Sequence, residues 1–269
     1  MLGEITMSLK MTNSPLSVCR ILVGFSPIEI IGDKYIPEIQ DRFRKEKMPS
    51  YKKSTVPVPA MYGDQAQEIT EEERWHFFDN KRTELVTITK NSFDYSVFSY
   101  QNFESFKSRF FKLLSIFSEV ADFYTSSVVS FFSLRYVNAI EGSDWKSYVS
   151  ESYRGIELPE SITHKAEFVN HGSFLQTPTN LGDLGSGTMI VKLLQNNQGI
   201  RIPLDIFSVH PIETQENRKI TLLDLDHFVI LDSEYVEQSF LETISEVLHE
   251  TIKEVFLAAL SDRAKEEWK

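Results

Sequence analysis

Two long segments of the chain repeat apolar residues with the period of an α-helix, and each follows a series of short strand-like patterns. The first segment begins after Asn102, a residue type favoured at helix N-caps. Its apolar stripe, mostly phenylalanine, consists of Phe103, Phe106, Phe110, Leu113, Phe117, Val120 and Tyr124. The second segment is expected to have Asp232 as its cap and to continue nearly to Trp268. Its inward stripe consists of Val236, Phe240, Ile244, Val247, Thr251, Val255 and Ala259.

A helix with so wide an apolar stripe needs a surface to cover, and the open face of a sheet is the usual one. The patterns before the first long helix predict a strand at 17–25, a short helix from about Pro37, and strands at 75–78, 85–89 and 95–98. Those before the second predict a strand at 128–140, a short helix from Asp144, and strands at 166–175, 188–194, 200–209 and 220–231.

The element order is therefore the same in both parts of the chain. We predict an α+β fold of two similar halves, each with a strand, a short helix, an antiparallel meander and a long helix packed on one sheet face. The halves span residues 14–126, with a long exposed loop at 50–73, and residues 127–269, which end in a long acidic helix. Residues 1–13 are expected to be disordered or a start-site extension. Whether the halves form one continuous sheet stays open.

The composition limits the class of protein. With 28 Lys+Arg against 39 Asp+Glu the formal net charge is −11, which disfavours general binding to nucleic acid or anionic membranes. Cys19 is the one cysteine, so no internal disulfide can form. No apolar run is long enough for a membrane span, and the N-terminus lacks a signal-peptide pattern. We expect a cytoplasmic acidic protein without a cofactor.

One acidic cluster could carry chemistry. Asp224 and Asp226 alternate along a predicted strand, so their carboxylates lie on one face roughly 7 Å apart. With His227 they could bind a divalent cation or act as an acid/base pair. The alternative interpretation is a strand with one core face and one solvated face. Arg135 lies in the middle of another predicted strand, where we expect a structural ion pair.

A basic tract is the candidate docking surface for a partner. It consists of Arg42, Arg44, Lys45, Lys47, Lys52 and Lys53. A protein or peptide partner could dock there, and nucleic acid could bind only at this tract. It contains Tyr51 but no regular series of aromatic residues, which argues against a base-stacking groove. The alternative is a solvated helix end beside a mobile loop.

Four short motifs fall in order along the chain. They are residues 14–27 (SPLSVCRILVGFSP), 134–140 (LRYVNAI), 223–228 (LDLDHF) and 256–262 (FLAALSD). Together they resemble a sporadically distributed family of prokaryotic proteins of about this length with no assigned function. The chain departs from that pattern at Ser17 and Arg20, where an acidic residue is frequent in the first strand. It also has the triplet Ala-Leu-Ser near its end, where Ser-Ile-Thr is usual. The patchy distribution implies an accessory role, such as in defence or toxin–antitoxin systems, and the resemblance transfers no catalytic residue.

Three functional hypotheses remain. The first is a non-enzymatic accessory protein that recognises a protein or peptide through its sheet surface or an exposed sheet edge. The second is a carrier of a small lipophilic ligand, in which the phenylalanine-rich helix and the sheet enclose a cavity. The third is a metal-dependent hydrolase or nuclease that uses Asp224 and Asp226.

Overall fold

The computed structural model describes residues 14–62, 65–142, 144–156, 170–196 and 220–269. Nine strands of this described part form one antiparallel sheet. The strands are β1 (Leu16–Phe25), β2 (Ser50–Tyr62), β3 (Gln65–Phe78), β4 (Glu84–Ile88), β5 (Ser92–Val97), β6 (Val129–Glu141), β7 (Asn170–Asn180), β8 (Ser186–Asn196) and β9 (Ile220–Glu234). Their order across the sheet is β2-β3-β4-β5-β1-β6-β9-β8-β7, so β1 and β6 lie near the middle and β2 and β7 at the edges.

Five α-helices accompany the sheet in the described residues. They are α1 (Ile36–Lys45), α2 (Phe103–Ala121), α3 (Phe123–Ser126), α4 (Gln238–Ala259) and α5 (Asp262–Glu267). A π-helical turn (Ile31–Tyr35) precedes α1, and 3-10 turns (Trp145–Ser147, Glu151–Tyr153, Gly182–Leu184) lie in the second part of the chain. The side chain of Asn102 accepts a hydrogen bond from the backbone N–H of Ser105, which confirms the predicted cap of α2.

The helices α1, α2 and α4 pack on the same face of the sheet. Phe43 of α1 contacts Phe77 of β3, Phe110 of α2 contacts Phe132 of β6, and His249 of α4 contacts Tyr136 of β6. Because side chains alternate along a strand, Phe132 and Tyr136 share this face. We call it the helix face, and we call the opposite side, on which none of the described helices packs, the helix-free face.

Phenylalanine rings make up much of the core on the helix face. Phe110 is fully buried and lies with its ring centroid 4.9 Å from Phe111, 6.0 Å from Phe93 and 6.3 Å from Phe132. Phe117 is equally buried and contacts Phe25 and Phe93. Offset and edge-to-face contacts of this kind add to the free energy gained by burying apolar area. The prediction that the phenylalanine stripe is core is confirmed.

The predicted long loop at 50–73 is wrong. These residues form β2 and most of β3, which pair with each other from Ser50–Phe78 to Tyr62–Gln65. Prolines and a run of glutamates gave the sequence a loop-like pattern. An edge strand tolerates proline because one side of its backbone needs no partner in the sheet.

The prediction for the last helix is wrong in its start, in its inward stripe and in its end. Asp232 lies within β9, and α4 begins at Gln238. The buried stripe of α4 is Leu241, Ile244, Ser245, Leu248, Ile252 and Ala259. The predicted stripe shares only Ile244 and Ala259 with it, because α4 carries two neighbouring apolar stripes and the predicted one is largely half-buried. The helix also ends at Ala259, and Ser261 caps the separate helix α5.

Other predictions agree with the described elements or lie outside them. The strands predicted at 17–25, 75–78, 85–89, 95–98, 128–140, 188–194 and 220–231 correspond to β1, β3, β4, β5, β6, β8 and β9. The strand at 166–175 is described from residue 170 onward, as β7. The strand predicted at 200–209 and the disorder predicted at 1–13 fall outside the described residues.

We expect substitution of Phe110 by alanine to lower the free energy of unfolding by about 3–5 kcal/mol, because it leaves a cavity in a fully packed aromatic core. The matched control is Phe174→Ala on β7, where the ring is exposed and the change should stay within about 0.5 kcal/mol. Urea denaturation measures both. Equal effects of the two substitutions would contradict the assignment of the helix face as the core.

Candidate functional site

A cluster of charged side chains lies at the middle of the sheet on the helix-free face. It consists of Arg20 on β1, Asp94 on β5, Arg135 on β6, and Asp224 and Asp226 on β9. Alternation along each strand directs all five away from the helices. The predicted placement of Asp224 and Asp226 on one face agrees with this arrangement.

The two arginines are direct cross-strand neighbours, since Arg20 is opposite Arg135 in the pairing of β1 with β6. Like charges in that position repel each other unless counter-charges lie close by. The guanidinium of Arg20 donates from Nε to Asp94 Oδ2 at 2.7 Å and forms a second contact from its terminal nitrogen at 2.5 Å. This pair is partly buried.

The guanidinium of Arg135 binds Asp224 with two parallel hydrogen bonds. Nε donates to Oδ1 at 2.8 Å and a terminal nitrogen donates to Oδ2 at 2.7 Å. Both side chains are buried, so the pair is shielded from water. This bidentate geometry satisfies both carboxylate oxygens and confirms the predicted structural ion pair at Arg135.

Asp226 is the least neutralised member of the cluster. It is half-buried, and the Ser133 hydroxyl donates to its Oδ1 at 2.7 Å. Burial raises the pKa of its carboxyl above the ordinary value, although the Ser133 hydrogen bond and the charges of Arg135 and Arg20 act in the opposite direction. The cluster as a whole contains two arginines and three aspartates, so its charges nearly cancel.

His227 lies on the opposite face of the sheet from Asp224 and Asp226. Its Nε2 is 2.7 Å from the Thr179 hydroxyl, and its Nδ1 faces the backbone oxygen of Leu248 on α4. Gly187 of β8 lies beside the His227 ring, and a Cβ atom at this position would be 3.0 Å from His227 Nε2. The structure therefore does not bring the predicted metal-binding set Asp224, Asp226 and His227 together. Across the described residues, no group of three or more His, Cys, Asp or Glu side chains is arranged as a metal site.

Half of the cations in the basic tract are paired with neighbouring carboxylates. Arg42 pairs with Glu38 and Glu119, Lys45 with Asp41, and Lys53 with Glu73. Among the described residues, Arg44, Lys47 and Lys52 form no ion pair, and all three are exposed. Glu38 and Asp41 precede their partners by four residues in α1, whereas Glu119 and Glu73 are distant in the sequence and are brought beside the tract by the fold.

The described core gives no support to a lipophilic cavity under α2. The space between α2 and the sheet is filled by ring contacts such as Tyr95 on Phe106. A concavity of about 550 Å³ lies between α2 and α4 and is lined by side chains of both helices. Its wall includes Lys107, Lys112 and Glu242. Such a charged lining does not suit an apolar ligand.

The two edge strands of the sheet differ in their chemistry. β2 carries Lys52 and Lys53 together with Pro57, which are the features that protect an edge from further pairing. β7 has no Asp, Glu, Lys or Arg over its eleven residues. Its Phe174 and Leu175 are 62% and 53% exposed on opposite faces. Sequence reasoning missed this edge, although the uncharged run 170–180 was the signal for it.

Comparison of the chain with protein-family models, with curated proteins and with solved structures finds no match in any of the three. None of the helices in the described residues is both long enough and apolar enough to cross a membrane.

We expect the pair of Arg135 and Asp224 to behave as a coupled unit. Either Arg135→Met or Asp224→Leu alone should lower the free energy of unfolding by about 3–5 kcal/mol, because each breaks a buried bidentate ion pair and keeps one of its two charges. The double variant should recover most of that loss. Denaturation of all three, with Lys45→Met in an exposed pair as the control, measures the coupling. Strictly additive losses would contradict it.

Asp226→Asn should stabilise the protein at pH 7. Because burial raises the pKa of Asp226 in the folded state, its ionised form is disfavoured relative to the unfolded chain. The wild type regains this stability as the pH falls through the raised pKa towards about 4, where an unfolded aspartate titrates. The advantage of the variant should therefore be complete at neutral pH and shrink in acid. Thermal unfolding of both proteins across this range tests it; a pH-independent difference would contradict it.

Proposed function

We propose that this chain is a non-enzymatic accessory protein that accepts an extended segment of a protein partner at the outer edge of β7, where no strand of the described residues pairs. The observation that carries the proposal is the exposure of Phe174 and Leu175 on an uncharged edge strand. Edge strands without charged residues are uncommon in soluble proteins because they tend to pair with other chains. A binding protein that adds a strand from its partner needs such an edge.

The site chemistry favours binding over catalysis. The one concentrated group of ionisable side chains on the helix-free face is engaged in internal pairs, with both oxygens of Asp224 bound to Arg135. The basic tract is a weaker candidate surface, because half of its cations already have carboxylate partners. Strand addition relies on backbone groups and apolar side chains, which suits a chain of net charge −11 whose free edge is neutral.

We also propose that the sheet consists of two duplicated halves, which meet where β1 pairs with β6. In support, a twofold rotation about the Arg20–Arg135 pair relates the ion pairs on either side. Counted along the registers, Arg20, Asp94 and Ser96 correspond to Arg135, Asp224 and Asp226. In both pairs, the aspartate lies on the neighbouring strand, two residues before the residue that is directly opposite the arginine.

The resemblance described above adds a biological setting to this proposal. An accessory protein of a prokaryotic defence or toxin–antitoxin system acts by contacting other proteins of that system. A cytoplasmic location is part of the same proposal. The edge of β7 is then the surface at which such a protein partner would dock.

Affinity capture with matched variants tests the proposed function. Immobilised wild type and Thr55→Lys, which adds a charge to the already protected β2 edge, should retain the same protein from a lysate of the source organism. Phe174→Lys should lose it, because a charge on β7 opposes strand addition. Retention that is equal for all three proteins, or no specific retention by the wild type, would contradict the proposal.

A further inference from the structure

The outer edge of β7, as far as the described residues show it, corresponds to an edge that is occupied on the other side of the sheet. From Arg20 the cross-strand neighbours run Ser96, Leu85 and Phe78, which ends on β3. From Arg135 they run Asp226, Ile190 and Gln176, which ends on β7. β7 therefore occupies the position of β3. β2 pairs with the outer side of β3, whereas no strand of the described residues pairs with the outer side of β7.

On β3, the additional strand β2 covers residues that would otherwise be exposed. On β3, His76 and Phe77 are 1% and 0% exposed. Tyr51 of β2 lies opposite Phe77 with ring centroids 5.4 Å apart, and Ser54 of β2 contacts the His76 ring at 2.8 Å.

The residues at the same positions of β7 are Phe174 and Leu175, and both are more than half exposed. They are the apolar positions that a strand in the place of β2 would cover.

The backbone of β7 presents regularly spaced N–H and C=O groups at this edge that pair with no described strand. The N–H of Leu181 donates to Gly185 across the hairpin, so odd-numbered residues direct their backbone groups towards β8. Even-numbered residues, including Phe174 and Gln176, therefore direct theirs outward. Pro178 has no N–H to offer, so the run of outward donors ends before it.

We infer that the partner segment binds as a tenth strand, antiparallel to β7, and carries two adjacent large apolar residues opposite Leu175 and Phe174. This inference rests on the proposed function and specifies the partner. Adjacent residues of a strand point to opposite faces, so an adjacent pair covers both exposed side chains at once. Residues spaced by two would cover one face only. A neutral segment is required because a charge opposite either side chain would lose its water without a counter-charge.

A second copy of this chain fits the edge less well. Two copies could pair their β7 strands around a twofold axis perpendicular to the sheet. Residues opposite each other must point to the same face, so the axis has to lie between one residue of β7 and the same residue of the other copy. If the axis passes through Phe174, Leu175 lies opposite Ser173 of the other copy. If it passes through Leu175, Phe174 lies opposite Gln176. Neither register places a large apolar residue opposite both exposed side chains.

A pair of synthetic peptides tests this inference. The probe is a short, capped, fluorescein-labelled polythreonine strand with tyrosine and valine adjacent at its centre. The control has the same composition with one threonine between the two, which places them on one face. Fluorescence anisotropy should show about tenfold tighter binding of the adjacent probe, as expected for burying one additional apolar side chain.

Variants of the protein locate the binding. Phe174→Ser and Leu175→Ser should each weaken the adjacent probe several-fold, and Ile230→Ser, an equally exposed apolar residue away from the edge, should leave it unchanged. Thermal unfolding confirms that all three remain folded.

Each outcome separates the inference from the proposed function. If both peptides bind equally and the β7 variants weaken both, the specified partner is wrong but strand addition at β7 stands. If neither peptide binds, the inference is overturned, and the proposed function falls with it only if capture also finds no β7-dependent protein. If sedimentation shows a dimer that Phe174→Ser dissociates, the occupant is a second copy and the inference is wrong.

Discussion

The antiparallel pairing of β1 with β6 is the contact on which the rest of the structure depends. It joins the strands on either side into one sheet, and it places Arg20 directly opposite Arg135. Two guanidinium groups on directly opposite residues repel each other unless counter-charges lie nearby. Asp94 and Asp224 supply these counter-charges from the next strand on each side. If β1 slipped by one residue against β6, its charged side chain would point into the aromatic core. The ion pairs and the core therefore favour the same register of β1 on β6.

This register also determines how the two faces and the two edges differ. The helix face carries the phenylalanine core beneath α1, α2 and α4, and the helix-free face carries the paired charges. Two of the exposed large apolar side chains, Phe174 and Leu175, are adjacent on β7, whereas the residues at the same positions of β3 are covered by β2. Within the described residues, the sheet has four strands on one side of the β1–β6 pairing and three on the other, and the shorter side ends in the uncharged edge strand β7.

Local patterns were enough to predict some elements but not others. The helix α2 was predictable because its cap and its phenylalanine period lie in one segment, and Asp224 and Asp226 share a face as alternation requires. The hairpin of β2 and β3 was not predictable in the same way. Its prolines and glutamates are typical of a loop, and its place in the sheet depends on the pairing of β3 with β4, which is not a local feature of the sequence. The partner of Asp224 could not be assigned without the register of β6 on β9. Likewise, the exposure of Phe174 depends on where β7 lies in the sheet.

The exchange of individual backbone amides in the free protein tests the central claim most directly. On β3, the amides of His76 and Phe78 point towards β2 and should exchange slowly, as bonded strand amides do. The equivalent amides of Phe174 and Gln176 on β7 should exchange much faster, whereas those of Leu175 and Thr177, directed at β8, should be slow. This alternation, measured by NMR, is the result that a free edge predicts. Uniform protection along β7, equal to that of β3, would contradict it.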